Sequence, residues 1–332
     1  MLDTIAIIII IVSIILAFAI GANNETYASI VGVKSMSVRS AVIFGAIITV
    51  IGGYFLSKNV GKTLREDISP DLFDTNYNLM LICIYVAMAV CLIIASVFGL
   101  PISSTEAMIG SILSLSFVQG YKVVWGWEGM GQIFLAWVIS PVLGVLFSFL
   151  LMKFVNMILG KTVKGFSDLE KSNSIFQLLL LAMVIWTGLS RAGNDINNAI
   201  APIVYLFADE SKSIYYQNLP MLFGGLGLGA GLIIIGGRVL KTLGNDVVEL
   251  TPESAFVTEG SAAVIIFIAV LLGIPVSGTF VLISSFLGAG IGMKKPINLK
   301  TLKTIVLWIF LTPLLSGTSS IICYYSFRGF FL

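Results

Sequence analysis

The sequence predicts an all-α polytopic membrane protein made of two inverted-topology repeats, each with broken or re-entrant helices that meet at the bilayer midplane. Three observations predict it. Of 332 residues, 58% are hydrophobic and only 11% charged, with a mean hydropathy of +1.03, whereas a soluble domain carries about 25% charged residues to clothe its surface. The apolar residues fall into ten blocks, most near the ~20 residues that a transmembrane helix needs. Polar landmarks recur in the same order in both halves.

The blocks run in order over 2–22, 38–57, 79–99, 101–118 and 131–158, then over 174–207, 218–236, 258–273, 275–292 and 303–326. The first is read as a span and not a cleaved leader, because only Asp3 precedes it and the positive n-region of a signal peptide is missing. The segments from Pro101 and Pro275 are short, polar at their start and preceded directly by another apolar run, which predicts re-entrant hairpins. Residues 1–158 form the first repeat, 159–173 a cytoplasmic linker and 174–332 the second repeat. Gly21-Ala22-Asn23-Asn24 answers Ala192-Gly193-Asn194-Asp195, Lys62-Thr63-Leu64 answers Lys241-Thr242-Leu243, and Pro101-Ile102-Ser103-Ser104-Thr105 answers Pro275-Val276-Ser277-Gly278-Thr279. Each half crosses the membrane an odd number of times, three or five, so the halves are inverted.

Positive charge sets the sides. Placing 153–173 in the cytoplasm puts 12 of the 19 Lys and Arg inside, among them Lys34, Arg39, Lys164, Arg238, Lys241, Lys294 and Lys295. Lys58, Lys62, Arg65, Lys122, Lys212 and Arg328 fall outside, and Arg191 stays within the membrane. Both termini are then external, on a multi-pass protein of the cell membrane. The net charge of +2 is too balanced for a nucleic-acid binder. Cys83, Cys91 and Cys323 lie in apolar runs and read as small buried hydrophobes. Gly225, Gly227, Gly229 and Gly231 read as close helix packing and not nucleotide binding.

Two polar clusters interrupt apolar segments: Asn23-Asn24-Glu25-Thr26 and Asn194-Asp195-Ile196-Asn197-Asn198. Carboxylates and irregular backbone survive at membrane depth only where they line a cavity or meet a partner. Gly21 and Gly193 are expected to let the helices unwind, freeing carbonyls to join Asn and Asp oxygens around a hard cation. Asn23, Asn194 and Asp195 are the Na+ candidates, with Asn24 and Glu106 as further cation ligands. Ser103-Ser104-Thr105-Glu106 and Ser277-Gly278-Thr279 each follow a proline and open an apolar helix. Hydroxyls, free N–H groups and a positive dipole end receive an anion there; ordinary helix capping is the alternative. Arg191 is either an anion clamp or an ion-pair partner, for instance of Asp195 one turn on.

These residues resemble the inorganic phosphate transporter (PiT) family of cation-coupled permeases. Gly193-Asn194-Asp195-Ile196-Asn197-Asn198-Ala199-Ile200-Ala201-Pro202 is similar to the second GANDxxNAxGP signature of that family. Gly236-Gly237-Arg238-Val239, Lys241-Thr242-Leu243-Gly244, Leu250-Thr251-Pro252-Glu253 and Pro275-Val276-Ser277-Gly278-Thr279 resemble further motifs in the right order. The resemblance implies a symporter that imports inorganic phosphate with a cation by alternating access, with Ser103, Ser104, Thr105, Ser277, Gly278, Thr279 and Arg191 at the anion. The chain departs from the family pattern at Asn24, where an Asp is usual and the acid moves to Glu25. It departs again at Glu106 and Phe280, where His is usual, and Arg191 stands where His often precedes the signature.

With no His in the chain, Na+ is favoured over H+ as coupling ion, although an intramembrane acid can carry protons. No other cofactor is implied, and the partners are phosphate or a similar oxyanion and the lipid bilayer; homo-oligomerisation is left open. Sulfate or another tetrahedral oxyanion is the alternative substrate. A membrane-embedded hydrolase using Asp195 or Glu106 is the alternative of another class, opposed by the absence of HExxH, a nucleophile elbow and any His.

Overall fold

The computed structural model describes residues 4–56, 77–206, 217–271 and 276–331. Among the described residues twelve α-helices follow one another: α1 (Thr4–Ala22), α2 (Ala28–Gly32), α3 (Val38–Leu56), α4 (Tyr77–Val97), α5 (Ser104–Gln119), α6 (Gln132–Thr162), α7 (Phe166–Leu206), α8 (Leu219–Gly231), α9 (Gly237–Asp246), α10 (Pro252–Leu271), α11 (Gly278–Met293) and α12 (Leu299–Phe331). One wider π-turn precedes α6 at Trp127–Gly131, and another, Leu232–Gly236, joins α8 to α9. Every apolar block of the sequence is a helix. Among the described residues, eight helices are long and apolar enough to cross a membrane. The loops carrying Lys58, Lys62, Arg65 and Lys212, and Pro275, lie outside the described residues.

Side chains are arranged as hydrocarbon surroundings require. Ile7, Ile11 and Ile15 on α1 and Ile43, Ile47 and Ile51 on α3 form exposed stripes at helical spacing, while Ser13, Asn23, Glu25, Glu106 and Glu259 are buried. Two apolar cores hold the bundle. One gathers α1, α4 and α5 with Met130, Ile133, Tyr324 and the Ile196–Ile203 stretch of α7; the other gathers α2, α3, α9, α10 and α11 around Leu180 and Val184.

The packing is two-fold in pattern. α1 packs on α8 as α7 packs on α3; α1 packs on α4 as α7 packs on α10; α5 packs on α12 as α11 packs on α6. The last pairing crosses between halves, and matched hydrogen bonds mark it: Ser320 Oγ donates to Ser111 O (3.4 Å), and Ser148 Oγ donates to Ser285 O (2.8 Å). α5 and α11 are alike in detail. Each has 16 residues, an extended serine before its first turn (Ser103 or Ser277), and a left-handed C-cap, Gly120 at φ 72° and Lys294 at φ 57°.

Contacts at the loops bring several basic residues to one end of the bundle. Val248 bridges Ile297, Asn298 N donates to Val247 O (3.0 Å), Asn156 Nδ2 donates to Gly292 O (3.3 Å), and Gly32 abuts Gly244. These place Lys34, Lys241, Lys294 and Lys295 at one end of the bundle. Tyr324 OH donates to Gln119 Oε1 (3.1 Å) at the other end. The predicted linker 159–173 is mostly helical, with only 163–165 between α6 and α7. Lys161 in the last turn of α6 and Asp168 in the first turn of α7 suit their helix dipoles, and Asp168 Oδ2 accepts from Lys164 N (3.1 Å). The two helices therefore continue beyond the apolar stretch.

The glycine-rich α8 packs tightly. A Cβ on Gly231 would collide with Phe18 O of α1 and one on Gly21 with Leu228 O of α8, while Gly225 and Gly229 face Val50 and Ala46 of α3. Gly21 is thus a point of close helix approach. It lies inside α1 and not at an unwound turn, which corrects the sequence expectation.

Candidate functional site

The first polar cluster breaks its helix and the second does not. After Ala22 the chain is irregular over 23–27 before α2 begins. Two side chains cause this. Asn24 Oδ1 accepts from Thr26 N (2.9 Å), giving the backbone amide a partner outside the helix. Asn23 Nδ2 donates to Ser96 Oγ (2.8 Å) and Leu100 O (3.0 Å), and its Oδ1 accepts from Ile102 N (2.8 Å). Asn23, a Na+ candidate in the sequence, is here a clamp that fastens the break to the turn between α4 and α5. α7, by contrast, runs unbroken for 41 residues through Gly193, Asn194, Asp195 and Asn198. The expected unwinding at Gly193 is therefore absent, and no main-chain carbonyls are freed there.

The break aims Glu25 inward. Its Oε1 lies 2.8 Å from Arg191 Nη1 and accepts from Thr279 Oγ1 at 2.8 Å. Arg191 thus pairs with an acid of the other repeat. Asp195 and Glu259 also lie within its electrostatic range. The guanidinium rests on the first residue of α11: a Cβ on Gly278 would come within 3.0 Å of Arg191 Cζ and Nε. A side chain at 278 would require the guanidinium to shift by a few tenths of an ångström, so glycine allows its close seating against that helix N-terminus.

The two Ser/Thr helix starts come together at this point. Ser277 Oγ caps α11 by accepting from Phe280 N (3.3 Å) and lies beside the Glu106 carboxylate of α5. Glu106 is 2% exposed, and neither of its oxygens has a partner in hydrogen-bonding geometry. Ser103, the residue before α5, makes no side-chain cap and is buried, as is Thr105; Ser104 is half-buried. Asn24 is buried beside the same break.

Glu259 on α10 was not anticipated from the sequence. It is fully buried, accepts from Ser29 Oγ (2.6 Å) and leaves its second oxygen without a partner. The signal was available: a glutamate inside the apolar run after Pro252. Glu25, which the sequence marks only as a displaced acid, is central. Among the described residues four acids are buried: Glu25, Asp195 and Glu259 near Arg191, and Glu106 within electrostatic range of Glu25. The acids are dispersed. Among the described residues no three acidic or cysteine side chains converge as a metal site, so hydroxyl and carbonyl oxygens would have to complete any cation shell. Cys83, Cys91 and Cys323 are buried and free.

Comparison with known proteins agrees with this architecture. The model of the phosphate transporter family matches residues 20–320. A protein of Thermococcus kodakarensis named "Putative phosphate permease" is 27% identical, covering 94% of this chain and 95% of that one. The Arabidopsis thaliana "Inorganic phosphate transporter 2-1, chloroplastic" is 24% identical over 83% of this chain and 64% of its own length. A solved structure named "The sodium-dependent phosphate transporter" shares the fold, with a TM-score of 0.80 at 22% identity over 98% of this chain and 99% of that one. With a family model covering nearly its whole length, and with the paired helix N-termini, Arg191 and the signature clusters in place, this multi-pass membrane protein belongs to the phosphate transporter family, whose members are transporters and not enzymes.

Proposed function

We propose that the chain imports inorganic phosphate in symport with a cation, Na+ rather than H+, by alternating access of two inverted halves. The observation that carries this reading is the meeting of the α5 and α11 N-termini beside Arg191, among acids that outnumber it. The donors suit an oxyanion: Ser103, Ser104, Thr105, Ser277, Thr279, the amide end at Gly278, and the Arg191 fork. The acids suit the cation. An uncompensated carboxylate in a low-dielectric interior is strongly unfavourable, and Glu25, Asp195 and Glu259 gain from a positive partner. Asp195 on α7, with Asn24 on the break, supplies charged and neutral oxygens for it; the side chain of Asn194, the remaining candidate on α7, lies outside the described residues. The solved relative, named as sodium-dependent, supports Na+. Both termini and the Asp71 loop are external, and Lys164 and Lys294 face the cytoplasm.

Carboxylates beside the anion also favour phosphate over sulfate. An ionised carboxylate only accepts hydrogen bonds. Hydrogen phosphate carries a proton to donate to Glu106 or Glu25, whereas sulfate near neutral pH has none and would be repelled. The hydrolase alternative falls with family membership.

Uptake of labelled phosphate into proteoliposomes, with Na+ and pH gradients imposed separately and sulfate as competitor, tests this. An inward Na+ gradient should drive accumulation, and tenfold excess sulfate should leave it unchanged. Uptake driven by a pH gradient in Na+-free buffer would transfer the coupling to H+, and equal competition by sulfate would remove the selectivity.

A further inference from the structure

We propose that Glu25 is a built-in mimic of the substrate, which occupies the anion's donors in the empty carrier and releases them only when the coupling cation binds to Glu25. The inference deepens the proposed function and rests on it. A single oxygen, Glu25 Oε1, accepts from Thr279 Oγ1 at 2.8 Å and forms an ion pair with Arg191 Nη1 at 2.8 Å, a contact outside hydrogen-bonding geometry that leaves Nη1 without a hydrogen-bond acceptor. These are two of the donors assigned to phosphate. A carboxylate meets a guanidinium fork in the way a phosphate does, so the acid and the anion compete for one place.

Arg191 does not have to move for the exchange. Its guanidinium is seated closely on Gly278, where a Cβ would come to 3.0 Å of it, and so already lies at the N-terminus of α11. Only the carboxylate must leave. It stands on the irregular stretch 23–27, where no helical ladder holds it. Glu106 of α5 lies beside Ser277, so acids flank the hydroxyl-bearing start of α11 at both Thr279 and Ser277.

A destination for Glu25 is present. Glu259 lies within electrostatic range of it. The second oxygen of Glu259 and the Thr26 hydroxyl are buried without partners, and Ser29, one turn after Glu25, already donates to Glu259. A small hard cation entering between Glu25 and Glu259 would meet two carboxylates and neighbouring oxygens, a suitable ligand set. It would draw Glu25 from Arg191 and Thr279. The order of binding follows: cation first, anion second. An anion arriving alone finds Arg191 already paired, which suppresses uncoupled leak.

Equilibrium binding of labelled phosphate to the purified full-length chain in lipid nanodiscs, in NaCl or choline chloride, tests this. For the wild type, phosphate affinity should rise at least about tenfold on replacing choline with Na+, within the usual range of coupling between sites. Glu25→Gln removes the charge that competes, so in choline it should bind phosphate as tightly as the wild type does in Na+, with less than about a twofold further gain from Na+. A folded Glu25→Gln protein that keeps the full Na+ effect, or that loses phosphate binding in both salts, overturns the proposal. Should that variant fail to fold, the wild type still decides: equal phosphate affinity in choline and Na+ overturns it. Absence of wild-type phosphate binding in both salts would instead refute the proposed substrate, an outcome distinct from failure of the Glu25→Gln comparison.

Discussion

The two copies of the polar signature have divided the work between them. In the first copy, Asn23 and Asn24 spend their side chains on breaking α1 and pinning the break to the turn before α5. That break delivers Glu25 to the interior. In the second copy the helix continues, and Arg191 and Asp195 stand one turn apart on a rigid rod. A freed backbone group in hydrocarbon is expensive, so a helix breaks there only where other polar groups receive it. The pairing of helices thus follows a two-fold pattern while the two polar clusters differ: one half supplies an irregular segment, the other a fixed charge.

The largest expected effects fall on the fixed charges of the second copy. Arg191→Ala strands Glu25, and breaking a buried pair costs about 3 to 5 kcal/mol; phosphate uptake should fall at least about a hundredfold and thermal stability should drop with it. Asp195→Asn should abolish Na+-driven uptake while leaving a folded, inserted protein. Wild-type Na+ dependence in that variant would break the division of labour, because the second copy would then contribute no cation ligand. Gly278→Ala should come next. Its Cβ forces the guanidinium to shift by a few tenths of an ångström on α11, so uptake should fall, whereas Gly120→Ala at the far end of α5, where nothing lies within 4 Å, should lose only stability.

A smaller effect sharpens the comparison between the two helix starts. Ser103→Ala, Thr105→Ala and Ser277→Ala should each weaken apparent phosphate affinity about tenfold, the equivalent of one hydrogen bond to a charged ligand at roughly 1.5 to 3 kcal/mol. Unchanged affinity across all three would reduce both to simple caps. Asn23→Ala should act differently: the loss of three hydrogen bonds lowers thermal stability by about 2 to 3 kcal/mol, and its phosphate affinity and its Na+ affinity should fall by the same factor. A selective loss of Na+ affinity would return Asn23 to the cation. The smallest functional effect belongs to Lys164→Cys in a background without Cys83, Cys91 and Cys323. It should transport normally and be labelled only from the cytoplasmic side; labelling from outside would overturn the inverted arrangement of the halves.

Much of this was written in the order of the residues. Composition alone demands a membrane protein, because a chain with 11% charged residues cannot cover a water-facing surface. Among the described residues each of the ten apolar blocks carries a helix, since a span must match the hydrocarbon thickness, although α6, α7 and α12 run several residues past the apolar limits. The recurring Ser/Thr starts became the matched N-termini of α5 and α11, each preceded by an extended serine, although only Ser277 caps its helix with its side chain. Tertiary structure decided what local pattern leaves open. Whether a cluster of Asn and Gly breaks a helix depends on distant acceptors such as Ser96 and Leu100, so Asn23 broke its helix while Gly193 did not. Glycine's purpose was likewise decided by neighbours, with Gly21 and Gly278 kept bare by Leu228 and Arg191. The pairing of Arg191 with Glu25, across two repeats, and the placing of Glu259 beside Ser29 required the helices to be packed. A buried charge finds its partner in space, and sequence distance carries no record of it.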